Sequence, residues 1–132
     1  MAMTILLDTH VWIWMVSSPE RLSAHVRRHI SREGNERLLS AASAWEMSIK
    51  FSKGKLTLPD APASFIPRLL ALTKTTPLPI LHSHATRVAD LPHHHRDPFD
   101  RILIAQAMVE NIPIITADAR FAKYNIKVIK AN

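Results

Sequence analysis

The chain has 132 residues, 47% hydrophobic and 21% charged, which bounds it to a single domain, residues 1–132, with its own core and excludes a disordered chain. It has no Cys and only two Gly, at 34 and 54, which excludes disulfides, thiolate chemistry, Gly-rich phosphate loops and the dinucleotide fingerprint. Seventeen Lys and Arg against 11 Asp and Glu leave a net charge of +6, a mild bias towards a polyanionic partner such as RNA or DNA.

The opening "MAMTILLDTHVWIWMV" is apolar but has no basic region ahead of it and carries Asp8 and His10. It reads neither as a leader nor as a membrane span, and a cytoplasmic location is expected. "TILLD" (4–8) predicts the first strand. "SPERLSAHVRRHISRE" places Leu22, Val26 and Ile30 four apart, a helical spacing, and "RLLS" (37–40) is the second strand. Ser43 and Glu46 form a possible capping box for a helix running to Lys53, with Gly54 as its stop. "ASFIPRLLALTKT" offers Phe65, Leu69 and Leu72 on one face, and "LPILH" (78–82) predicts the third strand. A short helix follows in "SHATRVADL". In "DPFDRILIAQAMVEN", Asp97 is the expected N-cap and Pro98 the first helical residue. "IPIIT" (112–116) and "IKVI" (126–129) complete the strands.

The strand runs are continuous rather than alternating, so both faces are covered. With helices between them, this predicts an α/β fold with a central parallel sheet, whose ligand site lies beyond the carboxyl ends of the strands. Five acids fall there. Asp8 ends the first strand, Glu46 is on the helix after the second, Asp97 and Asp100 open the helix before the fourth, and Asp118 follows the fourth. Each also has a local explanation. Asp8, Asp97 and Asp118 could cap helices or turns, Glu46 could pair with Lys50, and Asp100 could meet a helix dipole. Together they suggest a carboxylate cage for a divalent cation, whose hard oxygen ligands suit Mg²⁺ or Mn²⁺. Metal-assisted hydrolysis is the chemistry these residues best support.

"LLDTHVWIW", "SAASAWEMSIK", "HHRDPFDRILIAQA" and "ITADARF", in this order and spanning Leu6 to about Phe121, resemble PIN-domain proteins of the VapC type, the ribonuclease toxins of toxin–antitoxin pairs. The resemblance implies a three-layer α/β/α sandwich, Mg²⁺ or Mn²⁺ dependence, and endonucleolytic cleavage of RNA. It implies catalytic roles for Asp8, Glu46, Asp100 and Asp118, and metal ligation by Asp8, Asp100 and Asp118, with Asp97 part of this branch's pattern. Thr116 matches a hydroxyl position beside the final acid. An antitoxin protein is the implied partner, as is self-association into a homodimer or a higher complex with the antitoxin.

The other polar and aromatic clusters have plainer readings. His93, His94 and His95 are adjacent on a loop and cannot easily converge on one metal, though near an acidic cleft they could meet phosphate. Trp12, Trp14 and Trp45 read as core packing, with base stacking or a partner groove as the alternative for the first two. Lys50, Lys53 and Lys55 read as a solvated helix end or an RNA backbone track. Two rival functions are an α/β phosphatase with Asp8 as nucleophile and a nucleic-acid-binding or scaffold module. "DTH" lacks a second Asp two residues on for the first, and none of the acids is missing for the second.

Overall fold

The structure, a computed structural model, describes residues 2–132. Five strands form one parallel sheet: β1 (Thr4–Leu7), β2 (Glu36–Ser40), β3 (Thr75–Leu78), β4 (Ile114–Thr116) and β5 (Val128–Lys130), in the spatial order β3-β2-β1-β4-β5. Six helices connect them: α1 (Thr9–Ser17), α2 (Ala24–Ser31), α3 (Ala41–Ser52), α4 (Pro62–Leu72), α5 (His82–Arg87) and α6 (Pro98–Glu110). No helix among the described residues is long and apolar enough to cross a membrane.

The continuous apolar runs have their expected cause. Side chains alternate across a strand. Ile5, Leu7, Leu39 and Ile115 face one core with Trp12, Val26 and Leu69. Leu6, Leu38 and Ile114 face the other with Leu103, Ile104 and Phe121. Ile5, Leu6 and Leu7 are fully buried. Each such side chain contributes about 1.5–3 kcal/mol relative to staying exposed, an upper estimate for a partly collapsed unfolded chain. The result is the expected three-layer α/β/α sandwich.

Several boundaries differ from the sequence expectation. The third strand is Thr75–Leu78 rather than 78–82. It lies at the sheet edge, where Pro77 is tolerated and no apolar run is needed, so "LPILH" misled. Helix α3 starts three residues earlier than the supposed capping box, because the Ser40 hydroxyl, not Ser43, accepts from the Ala42 N–H at 3.0 Å. Gly54 does close it, at φ +71°. The long helix expected from Ser18 is instead a 3-10 turn (Pro19–Arg21) followed by α2, which Ser23 caps through the Val26 N–H. Trp45, expected in the core, is 59% exposed and rests edge-on against Phe99, with ring centroids 5.1 Å apart.

Candidate active site

From β1 the chain steps to β2 and β3 on one side, then returns to β4 and β5 on the other, so the order reverses between β1 and β4. In an open parallel sheet this is where a crevice forms beyond the strand ends. Asp8 follows β1, and Thr116 ends β4. A cleft of about 390 Å³ opens there, walled by Asp8, Glu46, Asp97, Asp100 and Asp118, with His10, Trp14, Lys50, Ala117 and Arg120. All five acids expected at one edge therefore reach one cleft.

Each acid is held differently. Asp8 is buried and caps α1, accepting from the Thr9 N–H at 2.7 Å. Its other oxygen accepts from the Thr116 hydroxyl at 2.7 Å. Burial pushes its carboxyl above the ordinary value, and the Thr116 bond opposes this most. Glu46 is buried too. Its Oε1 accepts from the Thr9 hydroxyl at 2.9 Å, and its Oε2 pairs with Lys50 Nζ at 2.8 Å. The Thr9 hydroxyl is itself 2.8 Å from Ser43 Oγ, which gives Ser43 its place. Asp118 accepts two guanidinium bonds from Arg120, at 3.1 Å (Nε) and 2.7 Å (Nη2), and these hold its carboxyl below the usual range. Thr116 also accepts from the Asp118 N–H at 3.0 Å, so one hydroxyl ties both acids.

Asp97 and Asp100 answer to helix α6. Asp97 Oδ1 accepts from the Phe99 and Asp100 N–H groups at 2.9 and 3.2 Å, the N-cap expected from "DPFD". Asp100 is in the first turn and differs from the rest. Among the described residues, its carboxylate accepts no hydrogen bond of good geometry; the ring nitrogen Nε2 of His95 lies 3.5 Å from its Oδ2. Burial, then the charges of Asp97, Asp8, Glu46 and Asp118, push its carboxyl up to about 7.

Among the described residues, no three His, Asp or Glu side chains are gathered closely enough to hold a metal ion as they stand. The carboxylates of the cage drawn from the sequence do not all converge on one point: Glu46 is turned to Lys50 and Asp118 to Arg120. In kind, the donors fit a hard divalent cation: they are carboxylate oxygens around one acid that lacks a counter-charge.

Sequence reasoning placed the acids and Thr116, left open whether His95 contributes, and missed Thr9 and Arg120 as residues that shape the cleft. Thr9 and Arg120 were findable, since each is within two residues of an acid it contacts. His93 and His94 are exposed, whereas His95 is buried, and no local pattern separates them.

The chain is 46% identical over 50 residues to ribonuclease VapC16 of Mycobacterium tuberculosis, covering 38% of this chain and 36% of that protein. It is 28% identical over 122 residues to ribonuclease VapC22 of the same organism, covering 92% of each. Its fold matches VapBC2 of Rickettsia felis, solved bound to a DNA fragment from its promoter, with a TM-score of 0.76 at 13% identity, over 98% of this chain and all of that one. The PIN domain profile matches residues 5–127, nearly the whole described chain and every acid of the cleft. The chain belongs to the PIN domain family.

Proposed function

We propose that this chain is a divalent-metal-dependent endoribonuclease and the toxin of a toxin–antitoxin pair, hydrolysing phosphodiester bonds at the acidic cleft. The observation that carries the reading is Asp100. A carboxyl pushed up to about 7 by burial and four neighbouring acids, with no hydrogen-bond donor of good geometry among the described residues, is one whose charged form a bound divalent cation would stabilise. The VapC ribonuclease relatives support the reaction class, and the VapBC2 match supports an antitoxin partner.

Asp8, Asp100 and Asp118 would hold Mg²⁺ or Mn²⁺, with Asp97 beside them. Bound there, the cation supplies charge neutralisation at the phosphate and an acidified water. The chain's own residues do the rest. Thr116 fixes the direction of Asp8 and the backbone of Asp118. Glu46, steadied by the Thr9 hydroxyl, is the carboxylate available to accept a proton from the attacking water. Lys50 and Arg120 bring cationic groups to the cleft wall, suited to RNA phosphates. Exposed Leu72 and Trp45 give an antitoxin or a second copy apolar surface to cover. This chemistry belongs in the cytoplasm, where RNA is available.

The test is RNA cleavage by purified protein in Mn²⁺, in Mg²⁺ and in EDTA, with 5′ ends mapped by sequencing. Defined new ends that need the metal and vanish in Asp8→Asn and Asp100→Asn are expected. Intact RNA in all conditions, with RNA still bound, would favour the binding-module reading instead.

A further inference from the structure

His95 has a role that neither a metal-binding His run nor plain packing explains. Its side chain is 1% exposed, yet among the described residues its Nε2 has no hydrogen-bond partner of good geometry. A buried polar atom without a partner is uncommon and calls for an explanation. That atom faces Asp100 Oδ2 at 3.5 Å, the one cleft acid without a donor.

The rest of the ring is clamped. Nδ1 is 2.8 Å from the Tyr124 hydroxyl, and the ring packs against Phe121 with centroids 5.8 Å apart. Arg101 Nη1 reaches the same Tyr124 hydroxyl at 3.4 Å, and also the carbonyls of Pro92 and His95 at 2.9 and 3.4 Å. Arginine can only donate. Of the two partners of the Tyr124 hydroxyl among the described residues, only His95 Nδ1 can take a proton, so the arrangement that satisfies all three groups has Tyr124 accepting from Arg101 and donating to Nδ1. That makes Nδ1 an acceptor and leaves the ring proton on Nε2. The opposite tautomer would leave the Tyr124 proton facing a group that cannot accept it. Direction thus passes along one chain of donors, Arg101 to Tyr124 to His95 to Asp100.

We infer that His95 is a positioning residue: its Nε2–H is aimed at Asp100 Oδ2 and fixes how that carboxylate faces the cleft. The inference rests on the reading of the cleft as a divalent-metal site. Metal-ligating carboxylates are oriented by such outer partners, and losing one costs about 10–100-fold in metal affinity. The His95 ring is held by Tyr124 and Phe121 whereas no donor holds the Asp100 carboxylate, so the gap to a full hydrogen bond closes by rotation of Asp100. The oxygen not engaged by His95 is then the one presented to the cleft.

Two measurements on the full chain test this. In metal-free wild-type protein labelled with ¹⁵N-histidine, long-range ¹H–¹⁵N correlations report which ring nitrogen of His95 carries the proton. The Nε2–H tautomer is expected, and Nδ1–H overturns the inference. Mn²⁺ binding, read by water-proton relaxation, is then compared across wild type, His95→Phe, His95→Gln and Tyr124→Phe. His95→Phe is expected to bind about 10–100-fold more weakly, and His95→Gln, whose amide N–H reaches a similar place, to recover most of the loss. Should His95→Phe not fold, Tyr124→Phe carries the comparison. It keeps the ring but frees its tautomer, so mixed His95 signals and weaker Mn²⁺ binding are expected. Wild-type affinity in a folded His95→Phe or Tyr124→Phe overturns the inference and leaves the metal-site reading standing. Failure of the wild type itself to take up Mn²⁺ overturns both.

Discussion

Thr116 and Asp8 are 108 positions apart in the chain and 2.7 Å apart in the fold, hydroxyl to carboxylate, across the crevice between β4 and β1. The same hydroxyl accepts from the Asp118 backbone, so two cleft acids share one small side chain. Thr116→Val keeps the shape and removes the hydroxyl. Asp8 then keeps its burial but loses its strongest opposing interaction, so its carboxyl should rise further. A stability loss of about 1–3 kcal/mol is expected from the stranded groups. Mn²⁺ affinity and RNA cleavage should fall by about 10–100-fold. Thr116→Ser should behave as wild type. Urea denaturation, Mn²⁺ titration and an RNA cleavage assay check these in turn, and a fully active Val variant would remove Thr116 from the site.

Asp100 makes stability depend on pH in a definite direction. Its carboxyl titrates at about 7 in the folded chain against 3.8 ordinarily, so between those values the folded state holds a proton that the unfolded state has released. Stability from this residue is full below about 4 and lost as pH rises towards 7. Asp100→Asn removes that loss. In EDTA the variant should melt at or above wild type at pH 8, with its advantage shrinking by pH 5. The opposing loss of the helix-dipole interaction is about 0.3–1 kcal/mol. Mn²⁺ should raise the wild-type melting temperature by mass action and the variant's much less. Equal Mn²⁺ shifts in both proteins would take Asp100 out of the ligand set.

Asp97 has a structural task, capping α6 through the Phe99 and Asp100 N–H groups. Asp97→Ala should cost about 1 kcal/mol, while Asp97→Asn, an equally good cap, should cost almost nothing. Cleavage by Asp97→Asn should fall far less than by Asp100→Asn. If the two were equally inactive, Asp97 would be a ligand in its own right.

Arg101 is a buried guanidinium whose partners are four carbonyls and the Tyr124 hydroxyl. It donates to Val88, Leu91, Pro92 and His95 and so ties the segment before α6 to that helix. Arg101→Met would leave those oxygens without their donor. A loss of about 2–4 kcal/mol is expected, with faster amide exchange around residues 88–95. Unchanged exchange there would mean that the segment is held by other contacts.

Fold and site differ in how far they were readable from sequence. Ile5–Leu7 and Ile114–Ile115 announce central strands because nothing but apolar side chains can be buried on both faces. Edge strand β3, with Thr75, Thr76 and Pro77, has no such constraint and left no such mark. The acids were legible because strand ends and helix starts are marked by local chemistry, and Asp8 and Asp97 do cap the helices they precede. What held them was not. The Arg101–Tyr124–His95 chain joins residues 95, 101 and 124 through tertiary packing, which no spacing encodes. Trp45 shows the reverse failure: an apolar residue on a helix implies burial only if something lies opposite it, and here Phe99 covers one edge alone.

The reversal of strand order between β1 and β4 also has a meaning in time. Strand β1 is synthesised more than a hundred residues before β4, its neighbour across the crevice. A ribosome adds about 5–20 residues per second, so β1 waits several seconds with one side unpaired. Until then Asp8 has no Thr116, Thr116 has no strand to end, and Asp118 has not been made. The acids are far apart along the chain, so the contacts that complete the cleft are long-range ones. A growing chain therefore has no complete cleft until residues 114–118 have been made and β4 has paired with β1.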